Sequence, residues 1–204
     1  IRQHKMMVKS VLSSGNLLLS LLNDILDLSK IEAGKIEITT QPVDLVHILK
    51  EIRLLFEDKA KKGGVELHIF SPPELPQILL FDEIRIKQVI FNLVGNAIKF
   101  THKGYVNVKA GFKNYSDKSG ELSIEVEDTG IGIPEAQLES IFEAFMQQSG
   151  QSSRKYGGTG LGLPISRRLV EKMNGAITVT SKEGSGSAFK VIIPDIEIGK
   201  STGH

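Results

Sequence analysis

The chain of 204 residues has no cysteine. That excludes a disulfide framework and any thiolate metal site, and it fits a reducing compartment. No apolar run reaches the roughly 20 residues that a membrane span needs. The richest stretch, Leu17 to Leu28, is interrupted by Ser20, Asn23, Asp24 and Asp27. There is no signal peptide either, because residues 1–9 are mostly polar or basic and no small-residue cleavage site follows. An excess of one charge is also missing: 25 Lys and Arg face 24 Asp and Glu, a formal net charge of +1. Nothing in that balance, and no basic stripe interleaved with aromatics, draws the chain to nucleic acid or anionic lipid, so neither is expected as a partner. His4, His47, His68, His102 and His204 show no metal-ligand spacing with one another or with acidic residues, and no Ser-His-Asp order is recognisable. The first residue is Ile1 rather than Met, which reads as a piece of something longer.

What is present is an ordinary globular composition, 40% hydrophobic and 24% charged, with enough chain for one medium domain and an appendage. Residues 1–33 read as one helix, with Val8, Leu12, Leu19, Leu22 and Leu26 at helical spacing and Gly34 as the stop. Its apolar stripe must be covered by another helix, in a bundle or coiled coil, or by its own domain. Ile36 to Thr40 alternates as a strand that Pro42 ends. Asp44 caps a helix to about Lys62, Val65 to Ile69 is a strand, and Gln77 to Leu80 a short one. Phe81 and Ile86 form a hydrophobic staple around an Asp82 cap, opening the helix that carries Asn92 and Asn96. Val106 to Phe112 and Leu122 to Val126 make a hairpin. A helix from about Leu161 to Met173 stops at Asn174-Gly175, and Ile177 to Thr180 and Phe189 to Ile193 are the last strands. Elements mix without strict βαβ alternation. The expected fold is therefore α+β: a two-layer α/β sandwich with one mixed sheet covered by helices on one face, preceded by a long N-terminal helix. The expected segments are 1–34, 35–194, and a linker or disordered tail over 195–204.

Four polar or glycine-rich islands carry the chemistry. Asn92 and Asn96 lie four apart on a helix and Lys99 three further, so one face presents two amides and an ammonium. Amide oxygens suit Mg²⁺ and the ammonium suits phosphate. Caps or solvent-facing asparagines are the alternative, although Asn is a poor mid-helix residue. Asp128-Thr-Gly130-Ile-Gly132, followed by Ile133-Pro134, ends a strand. Its carboxylate can accept from a purine exocyclic amine, and its glycines let backbone approach a ligand; an ordinary turn is the alternative. Gly158-Thr159-Gly160-Leu161-Gly162-Leu163 runs into a helix, where bare N–H groups suit anionic oxygens. It lacks the Lys-Ser/Thr ending of a Walker A loop. Gly184-Ser-Gly186-Ser187 is a hairpin turn whose Ser187 can add a hydroxyl to a base pocket. Arg154 and Lys155 can reach a γ-phosphate, or are simply solvated.

The order and spacing of these islands resemble the ATP-binding domain of sensor histidine kinases, in the wider group that holds gyrase-type topoisomerases, the Hsp90 chaperone and MutL. The resemblance runs from about Leu12 to Pro194. Leu22 to Gly34 looks like the second helix of the dimerisation hairpin, as in hybrid sensor kinases. Asn92 to Phe100 matches the N box, Asp128 to Gly132 the first glycine box, and Phe142-Glu-Ala-Phe145 the F box. Gly158 to Leu163 matches the second glycine box and Gly184 to Ser187 the third. The resemblance implies that Asp128 binds the adenine amino group and that Phe100 lies beside adenine. It implies that Asn96, with Asn92, holds Mg²⁺, that Lys99 contacts phosphate, and that residues 134–157 form a mobile ATP lid. ATP and Mg²⁺ are the implied cofactors. The implied partners are a response regulator receiver domain and, in the full-length protein, a second copy in a homodimer. The implied place is the cytoplasmic side of a membrane-anchored sensor.

Two departures shape the functional expectation. Gyrase-like ATPases have a glutamate where Asn92 stands, and an amide cannot activate water in its place. The family's acceptor histidine precedes an acidic residue and a proline, whereas His4 precedes Lys5-Met6-Met7. The expectation is γ-phosphoryl transfer to a histidine outside the chain, with no autophosphorylation by the chain alone. A self-contained ATPase of the chaperone or topoisomerase kind and a non-catalytic kinase-like scaffold are the alternatives.

Overall fold

The computed structural model describes residues 15, 18–19, 21–144 and 159–200. Residues 21–32 form helix α1. The stop at Gly34 is a Schellman closure: the Lys35 and Gly34 amides donate to Lys30 and Ile31 carbonyls, and Gly34 takes φ +66°. Ile31 is buried and Leu28 packs on the core, while Leu18, Leu19, Leu22, Ile25 and Leu26 are exposed. Through Leu28 and Ile31 the C-terminal end of α1 packs its apolar side chains on this domain.

Beyond α1 the order is β1 (Gln41–Val43), α2 (Leu45–Gly63), β2 (Val65–Phe70), β3 (Leu79–Phe81), α3 (Glu83–Phe100), β4 (Gly104–Asn114) and β5 (Ser119–Asp128). Two short 3₁₀ turns follow, at Glu135–Gln137 and Ser140–Phe142, then α4 (Gly162–Lys172), β6 (Ala176–Lys182) and β7 (Gly186–Ile198). The seven strands form one sheet in the order β1-β3-β7-β5-β4-β2, with β6 also on β7. The β2–β4 pair is parallel and the others are antiparallel, so the sheet is mixed as expected.

One face of the sheet is the core face. In β4 and β5, Val106, Val108, Leu122, Ile124 and Val126 are buried, while the alternate residues include Lys109, Glu125 and Glu127, whose charges pair on the other face. Helices α2, α3 and α4 cover the apolar face with Ile48, Ile52, Ile86, Ile90, Leu93, Ile165 and Leu169. The α2 stripe continues through Phe56, which is buried, and not through Leu55, which is exposed.

Capping is local and follows the residues. Asp44 accepts from the His47 amide, and Asp82 from the Arg85 amide at 3.0 Å. Phe81 and Ile86 are both buried beside the Asp82 cap, as a staple requires. The end of α4 repeats the Schellman closure with Asn174 at φ 57° and the Gly175 amide on the Val170 carbonyl.

Two strand assignments differ from expectation. Residues 35–40 are not a strand; the strand is Gln41–Val43, with Pro42 inside it. β1 lies at the sheet edge and pairs only with β3, so the missing proline N–H removes no ladder bond. At the other end β7 does not stop at Ile193. It continues to Ile198, with Asp195 at φ 55° and a register shift opposite Gly120 and Leu122. That bulge hides the alternation from the sequence but keeps Ile196 in the core, so residues 195–198 belong to the sheet and not to a tail.

Candidate nucleotide site

The islands lie on the C-terminal half of α3, at the end of β5, at the start of α4 and at the turn between β6 and β7. Asp128, the last residue of β5, stands opposite Ser187 of β7, and Ser187 stands opposite Ser181 of β6. These three side chains therefore share one row across three strands. Asp128 is 7% exposed and its carboxylate accepts from the Gly130 amide at 2.8 Å. Burial raises its pKa above the usual carboxylate value, the neighbouring Glu127 charge adds to the rise, and the bond from the Gly130 amide only partly offsets it. A buried carboxylate with unfilled acceptor capacity is suited to an N–H donor.

The first glycine island is locked to its surroundings. The Ile131 amide donates to the Phe100 carbonyl at the end of α3, and the Gly184 amide donates to the Ile131 carbonyl at 2.7 Å. Gly132 has φ +66° and Gly186 has φ +106°, where side chains are strained. A Cβ on Gly132 would overlap the Lys182 carbonyl, and one on Gly186 the Asp128 carbonyl. These glycines make room for protein backbone first. The Ile133 amide donates to Ser181 Oγ at 2.8 Å.

On α3 the two asparagines differ. Asn92 Nδ2 lies 3.3 Å from both the Gly162 carbonyl and Ser166 Oγ on α4. A carbonyl only accepts, so Asn92 Nδ2 is the donor in that contact, and Oδ1 makes no hydrogen bond among the described residues. Asn96 is half-buried, and its carboxamide has no hydrogen-bond partner among the described residues. Lys99 is half-buried; burial first, and then the Lys59 charge, lower its pKa. Its Nζ lies 4.5 Å from the Phe100 ring centroid. The α3 face thus presents amide oxygens and an ammonium that has no carboxylate partner among the described residues.

At the start of α4, Thr159 Oγ1 accepts from the Leu161 amide at 3.1 Å, and Gly160 takes φ +69°. Pro164 has no N–H, and the Ile165 amide makes the first helical bond, to Leu161. That leaves the Gly162 and Leu163 amides without partners among the described residues, at the positive end of an 11-residue helix. Leu161 is fully buried and anchors the turn. Phe142 packs edge-on against Phe189 at 6.4 Å, with the Arg167 guanidinium 5.3 Å from its ring centroid.

The structure thus brings together Asn92, Asn96, Lys99, Phe100, Asp128, Gly130, Gly132, Ile133, Thr159 to Leu163 and Ser187. Phe145, Arg154, Lys155 and Gly158 lie outside the described residues. Sequence reasoning did not find Ser166, which is fully buried and orients Asn92, or Ser181, which bonds Ser187. Single serines and threonines carry no spacing signal, so nothing in the sequence could have marked them. Among the described residues no three His, Cys, Asp or Glu side chains cluster as a metal site, so a bound cation would rely on amide oxygens and its own ligands.

The chain is similar to known proteins in sequence and in fold. Residues 81–197 match the family model described as histidine kinase-, DNA gyrase B-, and HSP90-like ATPase. The aerobic respiration control sensor protein ArcB of Escherichia coli (strain K12) is 36% identical over 187 residues, which cover 91% of this chain and 24% of ArcB. The chain therefore spans about a quarter of that relative. A crystal structure of full-length ShkA in complex with AMPPNP superposes with a TM-score of 0.81 at 34% identity, covering 98% of this chain and 40% of ShkA. The histidine kinase ThkA, solved in complex with the response regulator protein TrrA, gives a TM-score of 0.68 at 25% identity over 94% of this chain and 51% of that one.

Proposed function

Since the chain belongs to the histidine kinase-, DNA gyrase B-, and HSP90-like ATPase family, we propose that it is the ATP-binding catalytic part of a hybrid two-component sensor histidine kinase. In this reading Asp128 accepts from the adenine amine, with Phe100 beside the base. The Gly162 and Leu163 amides receive phosphate oxygens, and Lys99, with Arg154 and Lys155, meets the outer phosphates. The γ-phosphoryl group goes to a histidine outside this chain and then to a response regulator receiver aspartate. Helix α1 is the second helix of a dimerisation hairpin, its exposed leucines covered in a homodimer. The parent protein is a membrane-anchored sensor with this part on the cytoplasmic side; no helix among the described residues is long and apolar enough to cross a membrane.

The donor set fits Mg²⁺. Asn96 is half-buried with a carboxamide that has no hydrogen-bond partner among the described residues, and the contacts of Asn92 to α4 use its Nδ2 and leave Oδ1 without one there. Magnesium bound there would neutralise phosphate charge and be shared with the phosphates. This chain's residues supply position and charge: α4 orients Asn92, burial holds Asp128 ready for a donor, and the helix start receives anionic oxygen.

The observation that carries the transfer reading is Asn92 itself. Its amide is locked onto α4 at 3.3 Å and has no basic atom with which to activate water. Isothermal titration with Mg-ATP tests nucleotide binding: heat is expected from the wild type and lost with Asp128→Ala. Phosphoryl transfer to a separately supplied acceptor helix, with only residual hydrolysis in its absence, is the expected activity. Steady hydrolysis that survives Asn92→Ala would instead establish a self-contained ATPase.

A further inference from the structure

The hydroxyl of Ser181 has a fixed hydrogen-bond account. Its oxygen lies 2.8 Å from the Gly186 carbonyl, which can only accept, so the single Ser181 hydrogen goes there. Its lone pairs face two donors. One is the Ile133 amide at 2.8 Å. The other is Ser187 Oγ at 2.9 Å, which must donate because Ser181 has no second hydrogen. Ser187 therefore gives its own hydrogen to Ser181 and turns only lone pairs toward the space it shares with Asp128. Ser187 and Asp128 are register partners on adjacent strands and both are buried.

From this we infer that Ser181 is a positioning and specificity-determining residue. It fixes Ser187 as a hydrogen-bond acceptor, so that Ser187 and Asp128 form an acceptor-only rim that selects a purine with a 6-amino group over one with a 6-oxo group. The inference rests on the nucleotide reading above. A 6-amino group carries two hydrogens for two acceptors. A 6-oxo group brings lone pairs against lone pairs, and a buried unmatched polar group is heavily penalised. Ser181 touches no base in this arrangement. It acts by taking up the hydrogen that Ser187 would otherwise offer to an oxo group, and by tying the residue after the first glycine island to the turn of the third.

The test is titration of the chain with Mg-ATP and with Mg-ITP, whose base is the 6-oxo analogue. The wild type is expected to prefer ATP. Ser181→Ala frees the Ser187 hydrogen, so ATP binding should weaken about tenfold while ITP binding stays within about twofold or tightens, collapsing the ATP/ITP ratio. Ser181→Thr keeps the hydroxyl and should restore the ratio to within about twofold of wild type. Equal weakening of both nucleotides by Ser181→Ala would mean a merely structural role and overturn the inference, as would no change in either. Should Ser181→Ala fail to fold, Ser187→Ala decides: it removes the acceptor and must lower the ATP/ITP ratio, and an unchanged ratio overturns the proposal. A wild type that binds neither nucleotide would overturn the nucleotide reading and this inference with it.

Discussion

The hydroxyl of Thr159, at the entry to the glycine-rich turn before α4, donates to the Asp24 carboxylate of α1 at 3.1 Å. The same helix reaches α3, where Gln88 Nε2 donates to Asp27 at 2.8 Å and the Arg85 guanidinium lies 3.9 Å away. The N-terminal helix thus places a carboxylate beside the turn assigned to phosphate. Partial burial raises the pKa of Asp24, and the Thr159 bond opposes that rise. A fixed negative charge there opposes a polyanion. Asp24→Asn keeps an acceptor for Thr159 and removes the charge, so it should tighten Mg-ATP binding by about two- to fivefold at low salt. Titration calorimetry at two ionic strengths checks this, since the gain must shrink as salt rises.

Asn96 separates binding from stability. Its side chain has no hydrogen-bond partner among the described residues, and asparagine is a weak helix former in the middle of α3. Asn96→Ala should therefore stabilise the nucleotide-free chain by about 0.5 kcal/mol. It should also weaken Mg-ATP binding by about tenfold or more, because a metal ligand is gone. Urea melts and calorimetry on the same sample test the pair of effects. A loss of stability in step with the loss of binding would mean that Asn96 holds the fold and not the metal.

Legibility followed the range of each interaction. The Asp82 cap and the Phe81 and Ile86 staple were readable because they lie within five residues and have one geometry. The alternating strands β4 and β5 were readable because one sheet face is solvated. Asn92 and Asn96 were readable as an unusual use of a helix interior, but their division of labour was not, because it depends on Ser166, 74 positions away. Ser181 was hidden for the same reason: its bond to Ile133 spans 48 positions and exists only in the register of β6 with β7. Pro42 misled because a proline reads as a strand end unless the strand is known to lie at an edge.

Asp128 ties function to pH. Below the ordinary carboxylate value of about 4, the folded and unfolded chains both hold the proton and burial carries no charge penalty. Above it the unfolded chain ionises first, while burial keeps the folded carboxyl protonated to a higher pH. The contribution of this group to stability therefore falls as pH rises from that value to the raised folded one. Asp128→Asn cannot ionise. Its thermal midpoint should change less favourably toward acid than that of the wild type across this window, whereas carboxylates such as Glu127, held low by Lys109, affect both chains alike. Parallel pH profiles for the two chains would show that Asp128 is not buried as described.

Gly186 and Gly184 test what the third glycine island is for. Both have positive φ, +106° and +76°, in one turn. An alanine Cβ at 184 meets nothing within 4 Å, so Gly184→Ala should cost only the backbone strain of about 1 kcal/mol. At 186 the Cβ would overlap the Asp128 carbonyl and crowd Thr129, so strain and collision add and the cost should exceed about 2 kcal/mol in urea denaturation. The collision also pushes on the residue that recognises the base. Under conditions where both variants are folded, Gly184→Ala should bind Mg-ATP like the wild type and Gly186→Ala should bind weakly. Equal binding by both would show that the turn can move without disturbing Asp128, and that the close packing of the two glycine islands is not what sets the pocket.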